Sequence, residues 1–328
     1  MFIVRFDMRT PGVDGPGRAS RYRAAVEMAR YVDAHGCASI VLSEHHASDD
    51  GYLPSPFVLA GAIAAATERT PIVIAVTLLP LQDPVRLAED IVTLDHLSGG
   101  RAMVVLGIGY RPVEYELYGV DFSRRGRIAD EKLETLIGLL EQARVGMAPA
   151  RVTPAPMSPI STLLAWGGAS EAAARRAGRN GIGLFAQSNG SNLRDAYVAA
   201  ARESGHEPGL CILPSPEAPY SVFVADDVDT GWHEVGPSLL VDAVAYHQWN
   251  QEAGSVSGTA SISSASTVDE LRSSEGAHRI VTAEGARDLL AEHRLLALHP
   301  LCGGLDPDVA WRYLEDAVAV VGTGPASG

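Results

Sequence analysis

Short apolar runs recur along the chain, separated by stretches in which apolar positions return every three or four residues. The first pattern predicts buried strands and the second amphipathic helices. Residues 2–7 read as a strand. A Pro/Gly-rich loop at 10–17 leads to a helix at 20–35, with Tyr22, Val26, Ala29, Tyr31 and Val32 on one side and Gly36 as its stop. Strand 38–42 is followed by the polar exit loop 47–54 and an Ala-rich helix, 56–67. That helix carries almost no charge, so it should be covered on more than one side, which favours a subunit interface. Strand 72–76 turns through Leu78 to Pro80 into Asp83-Pro84, a capping residue followed by a first-turn proline. Helix 85–97 ends at Ser98-Gly99-Gly100, and strand 102–106 opens into a long loop, 107–127, before helix 130–143.

The second half continues the alternation. Residues 146–161 contain four prolines and read as an excursion from the repeat. Strand 162–166 runs into Gly167-Gly168-Ala169-Ser170 and an Ala/Arg-rich helix; strand 181–186 precedes helix 193–204, and strand 220–225 precedes helix 236–250. Residues 255–274 are rich in serine and poor in core residues, as in a mobile surface insertion. Helix 283–293, strand 295–298 and helix 306–321 close the chain. Eight strand–helix pairs predict an α/β protein of the TIM (β/α)8 barrel type: one domain over 1–328, with insertions near 146–161 and 254–282.

Composition narrows the function. A formal net charge of -14 argues against nucleic acid or an anionic membrane as the main partner. Cys37, Cys211 and Cys302 are odd in number and widely spaced, which suggests a reducing compartment rather than a disulfide framework. The chain begins directly with a strand-like segment, so no signal peptide is expected, and the protein reads as cytoplasmic.

Chemistry concentrates where strand 38–42 runs into Ser43-Glu44-His45-His46. In parallel α/β folds, ligands bind at the carboxyl ends of strands. Successive side chains of a strand point to opposite faces, so His45 and His46 reach one ion only if the chain has already turned. Zinc needs three or four ligands, and no further spaced ligand stands nearby, so no metal is expected here. The bland alternative is a pair of neutral histidines hydrogen-bonded at a loop edge. Gly167-Gly168-Ala169-Ser170, just before a helix, offers backbone N–H groups and a hydroxyl to an anion. Gly107-Ile108-Gly109 lacks the third glycine and the following helix of a dinucleotide fingerprint.

Ser43 to His46, the run Leu81 to Asp90, Leu94 to Arg101, the Gly107 to Gly119 loop and the tail His299-Pro300-Leu301-Cys302-Gly303-Gly304-Leu305 together resemble the bacterial luciferase-like monooxygenases. The resemblance covers nearly the whole chain outside the Ser-rich insertion. It implies a TIM-type barrel that binds reduced FMN, or in a related branch F420, at the carboxyl ends of the strands. His45 matches the family's active-site histidine, with Glu44 orienting its surroundings and His46 a wall residue. The loop 167–170 resembles the family's phosphate loop, although Ala169 stands where luciferase itself has an acidic residue. Arg111 lies where the family places a phosphate-binding arginine, and Arg127 is a second candidate. Thr77 follows strand three, where the family often has a non-proline cis peptide; Asp7, Gln187 and Ser188 complete the expected wall. Trp166 is either core filler or a flavin neighbour.

The activity so implied is a monooxygenase that uses reduced FMN and O2 to oxygenate a small organic substrate, served by a separate flavin reductase and working as a homodimer. An F420-dependent hydride-transfer enzyme and a flavin-binding protein without turnover are the competing readings.

Overall fold

Phe2–Phe6 (β1) shows how the barrel wall is built. In the computed structural model, Phe2, Val4 and Phe6 join the large apolar cluster under the surrounding helices, whereas Ile3 points the other way into a second, smaller cluster. This is the period-two alternation of a strand with both faces covered. The structure describes residues 1–146, 152–190, 192–215, 217–252, 254 and 263–322.

Nine further strands follow: Ser39–Leu42 (β2), Ile72–Leu78 (β3), Ala102–Gly107 (β4), Leu164–Gly168 (β5), Gly183–Ala186 (β6), Cys211–Ile212 (β7), Ser221–Val224 (β8), His278–Val281 (β9) and Leu296–Leu298 (β10). All pairs are parallel, in the order β7-β6-β5-β4-β3-β2-β1-β10-β8-β9. The smaller cluster is built from Val41, Val73, Val105 and Ala165, with Ile3, Met103 and Phe185 against it, so β1 to β6 all contribute to one interior. A sheet whose first six strands enclose a common lumen, with helices outside, is the expected TIM-type barrel.

Among the described residues the sheet has ten strands, where the sequence predicts eight. β7 has two residues, too few to register as a pattern, and β9 lies inside the expected 254–282 insertion, where alternation of buried His278 and Ile280 with Arg279 and Val281 is easily missed. Only part of that insertion is irregular: Val268–Ser273 is a helix, capped by Thr267, and 255–262 lie outside the described residues. In the 146–161 excursion, 147–151 also lie outside them, whereas Asp95 holds the end of the excursion by accepting bonds from the N–H groups of Met157 (2.6 Å) and Ser158 (2.9 Å).

Three helices begin earlier than their patterns suggest. Gly15–Ala34 starts inside the supposed loop because Asp14 caps it and Pro16 occupies the first turn. Val228–Glu252 runs through Pro237, its first turn tied by the Thr230 N–H to Asp227. Arg125–Val145 starts five residues before the predicted 130. The 107–127 loop is itself structured, as the helix Pro112–Tyr118 stopped by left-handed Gly119, then the 3-10 turn Phe122–Arg124. No helix among the described residues is long and apolar enough to cross a membrane.

Candidate active site

The carboxyl end of β2 carries the polar run into the protein, where Ser43, Glu44, His45 and His46 are all buried. The two histidines diverge, as strand geometry requires. His45 Nδ1 lies 2.8 Å from Glu114 Oε1, and the same oxygen accepts the His46 backbone N–H at 2.9 Å. His46 Nε2 instead lies 3.0 Å from Glu44 Oε1, which also accepts from Gln82 Nε2 at 3.2 Å. Glu44 therefore orients His46, and Glu114 orients His45. Arg111 closes the group by donating to the His46 carbonyl at 2.7 Å and standing 3.4 Å from Glu114.

Glu114 is completely buried yet ionised: burial raises its pKa, but the His45 bond, the His46 N–H and Arg111 outweigh that and leave it lowered. Burial lowers the His45 pKa, Glu114 works against this, and the Arg111 and Arg9 charges reinforce it. The net shift is downward, so the ring is neutral at pH 7. With Nδ1–H donated to the carboxylate, Nε2 keeps the lone pair and can accept a proton or a hydrogen bond. The ring is walled by aromatics, with centroids of Trp249 at 4.7 Å, Tyr52 at 4.8 Å and Tyr110 at 5.7 Å. Arg111 stacks on the Trp249 ring at 4.1 Å.

A second charged group lies behind this wall. Arg9, fully buried, is stacked by Trp249 (4.4 Å), Tyr52 (4.8 Å) and Tyr246 (5.0 Å). It pairs with Asp50, with Asp242 at 3.4 Å and with Asp7 at 3.5 Å. Asp7 also faces His299 at 3.3 Å. Asp7 thus ends β1 in an ion network.

On the opposite side of the rim, β5 ends in Gly167 and Gly168, and Ser170 caps the helix Glu171–Arg179, its hydroxyl accepting from the Ala173 N–H at 3.2 Å. The Gln187 N–H donates to the Gly168 carbonyl (3.3 Å) and the Ser188 hydroxyl reaches the Ala169 carbonyl (3.5 Å), which joins the two segments the sequence singled out. The non-proline cis peptide is Ala75–Val76, inside β3, and Thr77 lies within that strand rather than after it. Val76 lies across the glycines: a Cβ at Gly107 or Gly167 would come within 3.0 or 2.6 Å of its side chain. Thr77 above it is fully buried, with an unpartnered hydroxyl. Of the two arginines, Arg111 is committed to the His45 group, and Arg127 is largely exposed and paired with Glu131 at 2.8 Å. Trp166 belongs to the large core cluster, with Arg176 over its ring at 4.8 Å, and is core filler.

Sequence reasoning missed Glu114, Arg9, Tyr246 and Trp249. Glu114 had one local signal, an acidic residue in the first turn after Arg111-Pro112. The others had none.

The family profile described as "Luciferase-like monooxygenase" matches residues 3–291. The chain is 38% identical over 108 residues to an uncharacterized protein, y4wF, of Sinorhizobium fredii; the match covers 33% of this chain and 32% of that protein, so the chain spans about a third of that curated relative. Among solved structures it is similar to the oxygenating constituent of 3,6-diketocamphane monooxygenase from Pseudomonas putida in complex with FMN. There the TM-score is 0.68 and the identity 17%, with 98% of this chain and 97% of that one covered. It is also similar to an F420-dependent secondary alcohol dehydrogenase in complex with an F420–acetone adduct, with TM-score 0.61, 16% identity, and coverage of 94% and 97%. At these identities the two structures speak for the fold.

Proposed function

The chain belongs to the luciferase-like monooxygenase family, and from that premise we propose that it is a flavin-dependent enzyme that uses reduced FMN and O2 to oxygenate a small organic substrate. The observation that carries the reading is His45, buried, neutral and held by Glu114, with Nε2 without a partner among the described residues and beside an aromatic wall.

The rim fits a planar, phosphate-bearing cofactor. Thr77 Oγ1 and the Tyr110 hydroxyl are buried without partners, as expected of groups that bond to something bound above the lumen. Gly167, Gly168, Ala169 and Ser170 would receive the phosphate at the amino end of their helix, with Arg127 as its counter-charge and Asp7, Gln187 and Ser188 on the wall, while Arg111 stays with the His45 group. When bound, a reduced flavin supplies the electrons and the oxygen chemistry. The chain supplies the rest: His45 Nε2 takes a proton or a hydrogen bond from the substrate side, Glu114 fixes its tautomer, and Tyr52, Tyr110 and Trp249 exclude water. A separate reductase would deliver the reduced cofactor.

Anaerobic titration with reduced FMN and, separately, reduced F420 tests the reading. We expect FMN to bind more tightly, and admission of oxygen to be followed by its substrate-dependent consumption. Preferential F420 binding without oxygen uptake would instead make the protein a hydride-transfer enzyme. Ser170→Ala and Arg127→Ala should each weaken FMN binding, by about tenfold for one lost charge-assisted bond.

The helix Pro56–Ala66 supports a homodimer. Val58 on it is 74% exposed, and Leu97, 50% exposed, lies against Gly61 from the neighbouring helix Pro84–Ser98. Exposed apolar side chains on adjacent helices suit a self-complementary contact. Sedimentation analysis should give a dimer that Val58→Asp dissociates; a wild-type monomer at micromolar concentration would refute it.

A further inference from the structure

Beside Arg9, past the carboxyl ends of β1 and β10, a cluster of buried side chains has no part in the chemistry proposed above. Asp242 comes from the helix Val228–Glu252, His299 follows β10, and Cys302 opens the turn Cys302–Gly304. One ligand-type atom from each, a carboxylate oxygen, a ring nitrogen and a thiol sulfur, lies within 4.8 Å of the other two. Asp242 and Cys302 are fully buried and His299 is 2% exposed.

The polar atoms of this cluster are incompletely used. Among the described residues, neither ring nitrogen of His299 makes a directed hydrogen bond, although Asp7 Oδ2 is only 3.3 Å from Nε2. Asp242 accepts from His278 Nε2 on Oδ2 at 3.0 Å, while its Oδ1 stands 3.4 Å from Arg9 Nε without a directed bond. Leaving such groups unsatisfied in the interior is costly, so they imply a bound species between them. Charge points to the sign of that species. Arg9 alone faces the carboxylates of Asp7, Asp50 and Asp242 at ion-pair distance, while the nearby Arg21 is spent on the Gly304 and Leu305 carbonyls and Arg5 is stacked on Tyr220. Negative charge is therefore in excess around the three ligand-type atoms.

We propose that Asp242, His299 and Cys302 form a binding site for a divalent transition metal of the zinc class. One oxygen, one nitrogen and one sulfur donor suit a borderline cation and leave the fourth tetrahedral position to water. The outer contacts are those of a built site: His278 holds the free rotation of the Asp242 carboxylate, and Asp7 stands ready to take the second ring N–H of His299. The turn is held as well, because left-handed Gly303 packs directly on the Ser238 backbone of the helix that carries Asp242, leaving no room for a Cβ. Binding exchanges the Cys302 thiol proton for the cation, so it releases a proton and strengthens as pH rises.

The test uses the full chain without an affinity tag. After loading with Zn²⁺ and gel filtration, metal analysis should find about one zinc per chain. Loading with Co²⁺ should give a near-ultraviolet thiolate-to-metal band. Cys302→Ser should abolish the band and lower retained zinc at least about tenfold, and His299→Ala should do the same; Cys211→Ser should change neither. Circular dichroism of each variant separates lost binding from lost folding, and the Co²⁺ band of wild type stands as evidence if a variant fails to fold. Background zinc together with no thiolate band in wild type, or a band that survives Cys302→Ser, would overturn the proposal and leave buried water as the occupant.

Discussion

Glu114→Gln is expected to cut turnover by about ten- to a hundredfold while leaving flavin binding intact, and His45→Ala to cut it further, by about 10²–10⁴-fold. The glutamine keeps an oxygen for the His46 N–H at the same reach, so the loop should hold its shape. What it removes is the charge that fixes Nδ1–H and supports a proton on the ring. The pH profile gives a readout that a merely structural role would not move. Glu114 works to raise the His45 pKa against burial, so without its charge that pKa falls further. If the neutral ring is the working form, the acid limb of kcat/KM lies at the His45 pKa and must shift to lower pH in Glu114→Gln. An acid limb that stays in place would show that His45 is not the titrating group, and full activity in His45→Ala would end its catalytic role.

Arg9→Met should be the most destabilising substitution of the ion network, by about 3–5 kcal/mol, read as a lowered urea midpoint. The methionine fills similar volume among Tyr52, Tyr246 and Trp249 but leaves Asp7, Asp50 and Asp242 without their cation. Burial alone would lower the Arg9 pKa; Asp242 foremost, then Asp7 and Asp50, reverse this and hold the guanidinium charged. Arg9→Lys should recover only part of the loss, since an ammonium can neither stack on three rings nor reach three carboxylates from one plane. A loss below about 1 kcal/mol in Arg9→Met would mean that the carboxylates find compensation elsewhere.

The two sets of residues behave differently as sequence signals. β2, β3 and β4 were visible because an apolar run bounded by glycine or proline is a local pattern, and Ser43 to His46 stood out because polar residues interrupt one. The same logic placed Gly167 to Ser170 just before a helix as groups offered to an anion, where the structure shows Ser170 capping that helix, and it misjudged 107–127, where Gly and Pro mark the ends of a short helix as readily as a loop.

By itself, then, the sequence determined the strand–helix alternation and the end of the barrel where polar chemistry gathers, because periodicity and capping act between residues a few positions apart, and its ordered motifs carried the resemblance to the family. Only the tertiary structure decided which carboxylate holds which histidine. Glu114 reaches His45 across 69 positions, and Asp242 lies 36 positions from His278 in the chain. Arg9 meets its aromatic rings from helix and loop at once. A buried charge is tolerated only when specific partners surround it, and those partners are chosen by the closing of the barrel rather than by neighbours in the chain.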